Sequence, residues 1–124
     1  DIFLARQRDC TVAIFAGRSP LSGRVGLRIA ARQMPIGVCT SSGTVGHSLS
    51  FGDADSVTVL AASTPLADAV ATRLGNEVGH GGGGEGGIRQ ALEVAWAIIR
   101  QEDAKKPGLF GFGSSSTKKQ GETP

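Results

Sequence analysis

The sequence predicts an α+β fold in which an antiparallel sheet is backed by helices. Five strand-like segments follow one another in the first half of the chain, with turn-forming residues rather than helices between them. Two segments with helical periodicity come after them. Strands that are joined directly, without crossover helices, pair in the antiparallel sense. At 124 residues the chain has the length of one small domain.

The predicted strands are rich in valine, isoleucine and phenylalanine. The first two, at 1–5 and 11–17, flank the polar residues RQRD and are expected to form a hairpin. After turn-forming residues at 18–23, the segment 24–31 alternates apolar and polar positions, as a half-buried strand does. The segments IGVCT and SVTVLAA complete the set.

The first predicted helix follows the last strand. Thr64 is a suitable N-cap, and Pro65 occupies the first helical position, where its missing N–H costs nothing. Gly75-Asn76 is a stop signal. An apolar stripe recurs every fourth residue, and several alanines keep the helix thin enough to lie close to a sheet; the stripe is Leu66, Val70 and Leu74.

The second predicted helix runs from Ile88 to Glu102, and we expect its apolar face to pack on the sheet. Between the helices, residues 79–87 contain seven glycines in nine positions. This run matches G-x-G-x-x-G literally, but the dinucleotide motif needs a preceding strand, so we interpret it as a flexible connection. We therefore place one domain at 1–103 and a disordered tail at 104–124, which lacks periodicity.

Composition argues against two classes of partner. The formal net charge is only +2 and aromatic residues make up 5% of the chain, without tyrosine, which argues against nucleic-acid binding. The apolar runs are far shorter than a membrane span, so no membrane partner is expected. The two cysteines and two histidines have no metal-ligand spacing, and we expect a reducing, cytoplasmic setting.

A polar run and the helix after it contain the candidate site. Residues 35–61 hold many hydroxyls beside glycines, and Asp53 and Asp55 there are explained by turn formation. Asp68 and Thr72 lie four residues apart on the helix, so their side chains project from the same face. A carboxylate with a hydroxyl suits Mg²⁺, although the same pair is also common on a solvent-exposed helix face.

Two segments resemble a known family. VCTSSG at Val38–Gly43 and DSVTVLAASTPLADAVAT at Asp55–Thr72 resemble the ApbE-like superfamily, whose best-known members are FAD:protein FMN transferases. In the second segment the strand, the cap, LADA and AT all fall in register with the family pattern. The polar run is more similar to a short branch of the superfamily. The resemblance covers residues 1–76 and implies a T-fold-like core, of which this chain is the C-terminal half.

By this resemblance, Asp68 and Thr72 would ligate Mg²⁺, which neutralises the pyrophosphate of FAD while FMN passes to a protein hydroxyl. His47 and Cys39 are candidate catalytic residues; a structural histidine and a buried strand cysteine are the alternatives. The residues that would donate hydrogen bonds to phosphate or to the flavin edge are Thr40, Ser41, Ser42, Gly43 and Thr44.

Three functions stay open at this point. The first is a magnesium-dependent flavin transferase that acts on a flavin nucleotide and an acceptor protein. The second is a role in sulfur assimilation, namely homocysteine formation, in which Cys39 would matter more than Asp68. The third is a flavin- or nucleotide-binding module without turnover. An unpaired sheet edge also predicts a homo-oligomer or association with an N-terminal half.

Overall fold

The computed structural model describes residues 1–46, 50–80 and 84–105, and these residues have the predicted α+β architecture. Five short strands precede two helices. The strands are β1 (Ile2–Leu4), β2 (Cys10–Ala13), β3 (Gly26–Ile29), β4 (Ile36–Ser41) and β5 (Val57–Ala61); the helices are α1 (Thr64–His80) and α2 (Gly84–Lys105).

The strands form two antiparallel sheets. The larger has the order β1-β4-β5, with Ile2 opposite Val38 and Cys39 opposite Val59. The smaller is the β2–β3 pair, in which Cys10 lies opposite Ile29. The antiparallel sheet backed by a helix is thus confirmed, since α1 lies against both β4 and β5. The T-fold-like topology expected from the resemblance stays a prediction.

The predicted hairpin between the first two strands is wrong. β1 pairs with β4, and β2 pairs with β3. The connection at 14–25 is the true hairpin loop; it is closed by the Gly23 N–H, which donates to the Ile14 carbonyl at 2.8 Å. Two apolar runs separated by polar residues fit a hairpin locally, but each run pairs with a strand further along the chain.

The main core is the contact between α1 and the larger sheet, and it is built from small side chains. Cys39, Ala61, Ala67 and Ala71 are buried together. The buried face of α1 therefore centres on its alanines and Leu74, whereas Leu66 and Val70 of the predicted stripe are half-buried. Small residues on both sides allow the helix backbone to approach the sheet closely.

The boundaries of the helices differ from the prediction in two places. Ser63, not Thr64, is the N-terminal cap, because its Oγ accepts the Leu66 N–H at 3.3 Å. Asn76 does not end α1, which continues to His80 with non-helical backbone at Val78 and Gly79. Of these two residues, Gly79 has a positive φ, +111°, which favours glycine.

α2 begins earlier than predicted and packs elsewhere. Its first turn includes Gly84 to Gly87, so the second half of the predicted glycine connection is helical. Residues 81–83 and the tail at 106–124 lie outside the described residues. The main contact of α2 is with α1 rather than with the sheet, through a face that contains the buried Ala91.

Candidate functional site

Five of the predicted site residues line one cleft, with a volume of about 510 Å³. The cleft lies where β1, β2, β4 and α1 meet, and sites for small molecules usually have volumes of this order. The predicted residues that line it are Thr40, Ser41, Ser42, Asp68 and Thr72.

Asp68 and Thr72 form the helical side of the cleft. Each follows a buried alanine of α1, so both lie at the margin of the face that contacts the sheet. Both residues are exposed to solvent. The packing of Ala67 and Ala71 against the sheet therefore fixes where the carboxylate and the hydroxyl stand, because a tightly seated helix cannot rotate.

The end of β4 supplies the hydroxyl side. The Thr40 and Thr58 hydroxyls share a hydrogen bond of 2.9 Å across the β4–β5 pair. Ser42 organises the turn that follows, since its Oγ accepts the N–H groups of Thr44 and Val45 at 3.2 and 2.9 Å. A Ser hydroxyl that accepts in this way still has its own proton to donate.

Gly43 and Thr44, also predicted to bind phosphate, are not among the residues that line the cleft. The Gly43 N–H donates to the Ala54 carbonyl at 2.8 Å, and the Thr44 hydroxyl donates to Asp55 Oδ1 at 2.8 Å. Asp55 is thus a partner within the turn, as its sequence position indicates. The amides of Gly43, Thr44 and Val45 have partners within the protein, so an anion in the cleft would meet side-chain hydroxyls rather than these amides.

Cys39, one of the two candidate catalytic residues, is buried. Cys39 has no solvent exposure, and its thiol donates to the Thr64 carbonyl at 3.4 Å. Burial raises the pKa of the Cys39 thiol, and the negative charge of Asp68 acts in the same direction. This is the environment of a structural, protonated cysteine. His47 lies outside the described residues.

One wall of the cleft is apolar and is formed by Ile2, Val12, Ala13 and Phe15, which the sequence did not mark as site residues. Phe15, two residues after the end of β2, is 67% exposed, which is unusual for a large apolar side chain. The sequence places Phe15 within the predicted strand at 11–17, whereas β2 ends at Ala13. The newly identified lining residues are Asp1, Ile2, Val12, Ala13, Phe15, Val38, Val45 and Ser50.

The donor set of the cleft consists of hard oxygen atoms. Among the described residues, no group of three or more His, Cys, Asp or Glu side chains is placed to hold a metal ion. One carboxylate with neighbouring hydroxyls nevertheless fits Mg²⁺, which keeps several waters and takes its other ligands from phosphate oxygens. Asp68 and Thr72 are the side chains that would hold such an ion.

The fold and the cleft define an α+β protein with an open site that is polar on one wall and apolar on the other. The chain belongs to the family described as "AbpE bacteria", which matches residues 1–90. No solved structure matches the chain. No helix in the described part of the chain has the length and apolar character needed to cross a membrane.

Curated relatives carry the name UPF0280 protein. One from Methanococcus vannielii is 47% identical over 102 residues, which are 81% of this chain and 40% of the relative. One from Methanosarcina acetivorans is 43% identical over 88% of this chain and 40% of the relative. One from Methanococcus maripaludis is 42% identical over the whole chain and 48% of the relative. The chain therefore spans less than half the length of these relatives.

Proposed function

We propose that the cleft binds the pyrophosphate of a flavin nucleotide such as FAD together with Mg²⁺, and that the whole protein is an ApbE-like FMN transferase or a close relative. The observation that carries the proposal is the grouping of Asp68, Thr72 and the hydroxyls at the end of β4 around one cleft. These groups are far apart in sequence, yet they are the ones that the ApbE-like pattern assigns to metal and phosphate.

The two walls of the cleft match the two halves of such a ligand. Hydroxyls donate to phosphate oxygens, while a flat ring system gains from contact with apolar and aromatic side chains. Phe15 and Val12 belong to the apolar wall of the same cleft that Thr40 lines. A free phosphate or a simple metal ion would use only one of these walls.

The residues of this chain would bind and orient the ligand rather than supply the chemistry of transfer. Bound Mg²⁺ supplies a Lewis acid that neutralises charge on the phosphoryl group. Asp68 and Thr72 fix the position of the ion, and Ser41 and Ser42 at the end of β4 orient phosphate oxygens by hydrogen bonds. The exposed position of Asp68 keeps its carboxylate accessible to a hydrated ion.

Isothermal titration calorimetry of the full-length protein with FAD tests the proposal. Wild type should bind FAD more tightly with Mg²⁺ than with a chelator, because Asp68 and the phosphates repel each other without the cation. Asp68→Asn should remove the magnesium-dependent part, an effect of about tenfold or more in Kd, or about 1.4 kcal/mol. Thr72→Val should have a smaller effect, since water can replace a neutral ligand.

Glu93→Gln is the matched control, because it neutralises an exposed helical carboxylate that does not line the cleft. It should bind FAD as the wild type does. FAD affinities that are the same with and without Mg²⁺ in all four proteins would rule out the magnesium site.

A flavin- or nucleotide-binding module without turnover is the second candidate. The described residues that line the cleft include the carboxylates of Asp1 and Asp68 but no histidine or cysteine to act near neutral pH. A binding module would pass the calorimetric test and yet transfer no FMN to a hydroxyl-bearing acceptor. The sulfur-assimilation hypothesis has less support, because Cys39 is enclosed in the core.

A further inference from the structure

One face of α2 is apolar and exposed. Ile88, Leu92 and Trp96 follow one another at intervals of four residues, so they form a single stripe along the helix. Their exposed fractions are 54%, 56% and 52%. α2 contacts α1 mainly through the neighbouring face, which contains the buried Gly87 and Ala91. The packing of α2 within the described chain therefore leaves about half of the surface of each stripe residue exposed.

The apolar surface continues beyond the helix. A groove of about 680 Å³ separates α2 from the β2–β3 hairpin, and Ile88 and Leu92 form one of its sides. Leu21 and Val25 of the hairpin line the opposite side and are themselves exposed. Contiguous exposed apolar surface of this kind is characteristic of an interaction site in a water-soluble fold.

Charged residues lie beside the stripe and at its C-terminal end, in an order that complements itself. They are, in chain order, Glu85, Arg89, Glu93 and Arg100. In an antiparallel pair of helices related by a two-fold axis, residues at equal distances on either side of the axis face each other. Along the chain, residue 92 is midway between Ile88 and Trp96. Residue 91 is midway between Arg89 and Glu93. The midpoint between Glu85 and Arg100 falls between residues 92 and 93.

We propose that this surface is an interface between two copies of the chain, with the α2 helices antiparallel and Leu92 near the two-fold axis. A two-fold axis at Leu92 places Leu92 against Leu92 of the other copy and Ile88 against Trp96 of the other copy. With the same axis, the pairs Arg89–Glu93 and Glu85–Arg100 are offset from direct opposition by no more than about two residues, or about 3 Å along a helix. The aromatic ring of Trp96 then leaves water, and unlike charges flank the apolar seam.

The intrachain ion pair between Arg89 and Glu85, at 2.8 Å, does not oppose this arrangement. Both side chains are largely exposed, at 74% and 87%. Exposed ion pairs within a helix contribute only about 0.3–0.5 kcal/mol, so the guanidinium is free to turn towards Glu93 of the other copy.

Sedimentation equilibrium of the full-length protein over a range of concentrations tests the interface. Wild type should form a dimer, and Leu92→Glu should raise the dissociation constant by about tenfold or more, because it places two carboxylates at the axis. Phe51→Glu is the matched control: Phe51 is 69% exposed but does not line the groove, and its substitution should leave the constant unchanged.

A charge exchange at exposed positions distinguishes this interface from any other occupant of the stripe. Arg89→Glu alone should weaken the dimer, and adding Glu93→Arg should restore it, because the pair across the axis is re-formed with its signs reversed. Circular dichroism confirms that each variant is folded. The proposal is overturned if wild type sediments as a monomer throughout, if Leu92→Glu acts no more strongly than Phe51→Glu, or if the double exchange recovers nothing.

Discussion

Cys39 belongs to β4, and its side chain packs with the alanines that hold α1 against the sheet. Its thiol hydrogen bonds to the Thr64 carbonyl in the first turn of α1. Because burial raises the pKa of this thiol, the unfolded form ionises at a lower pH than the folded form. The residue therefore reduces stability only as the pH rises above the ordinary value of a thiol, near 9.0.

We predict that the two cysteines differ strongly in reactivity. At pH 8, Cys10, which is partly exposed, should react with a disulfide reagent such as DTNB, whereas Cys39 should react only as fast as the core opens. In a Cys10→Ser variant the remaining thiol should become reactive on adding urea. Prompt reaction of that thiol in the folded protein would contradict the buried, protonated state and revive a chemical role for Cys39.

At the scale of elements, glycines determine how closely α1 approaches the sheet. A Cβ atom added to Gly37 would lie 2.6 Å from the Thr64 Cα, in contact with backbone that cannot move aside. A Cβ added to Gly75 would meet the Ser41 side chain, with its Oγ nearest at 3.3 Å, and a side chain can shift by the few tenths of an ångström required. The two glycines belong to the same interface but differ in what surrounds them.

Substitution of these two glycines by alanine should therefore have different effects. Gly37→Ala should lower the free energy of unfolding by about 1–3 kcal/mol, the usual cost of overpacking. Gly75→Ala should change it by less than about 1 kcal/mol, because the helix propensity gained offsets the contact with Ser41. Urea denaturation followed by circular dichroism measures both, and equal losses in the two variants would contradict this description of the interface.

The sequence predicted the elements better than their partners. β4, β5 and the start of α1, to within one residue, follow from β-branched runs and a proline, which are local signals. The pairing of β1 with β4 could not be predicted, because adjacency in sequence favours a hairpin and nothing local specifies a partner 32 to 36 residues away. The helical Gly84–Gly87 segment was also missed, since contact with α1 overrides the low helix propensity of glycine.

In the molecule as a whole, the main core comes from one continuous stretch of chain, whereas the site also uses strands from outside that stretch. β4, β5 and α1 form a continuous stretch of chain, whereas β1 and the β2–β3 hairpin join it from further away. The polar wall of the cleft belongs to the continuous stretch and was predictable from its motif. The apolar wall comes from β1, β2 and residues close to them, so it depends on tertiary contacts that no short motif encodes.

This division predicts unequal protection of backbone amides in hydrogen exchange. Amides of β4, β5 and α1 should exchange only on global unfolding, because they share the buried core. Amides of the β2–β3 pair should exchange through an opening that costs at least about 1 kcal/mol less, since two strands alone are marginally stable. A single opening free energy for all strands, measured by native-state exchange in low denaturant, would contradict the prediction.

The backbone contacts of glycine also limit how the gene can vary. Every missense change in the codon for Gly37 adds at least one carbon atom where the Thr64 backbone already stands. The same holds for Gly43, which faces the Gly52 carbonyl, and for Gly52, which faces the Gly75 carbonyl. These three codons should therefore be nearly free of tolerated substitutions in a mutational scan, whereas Gly23, with open space around its Cβ position, is restricted only by its positive φ.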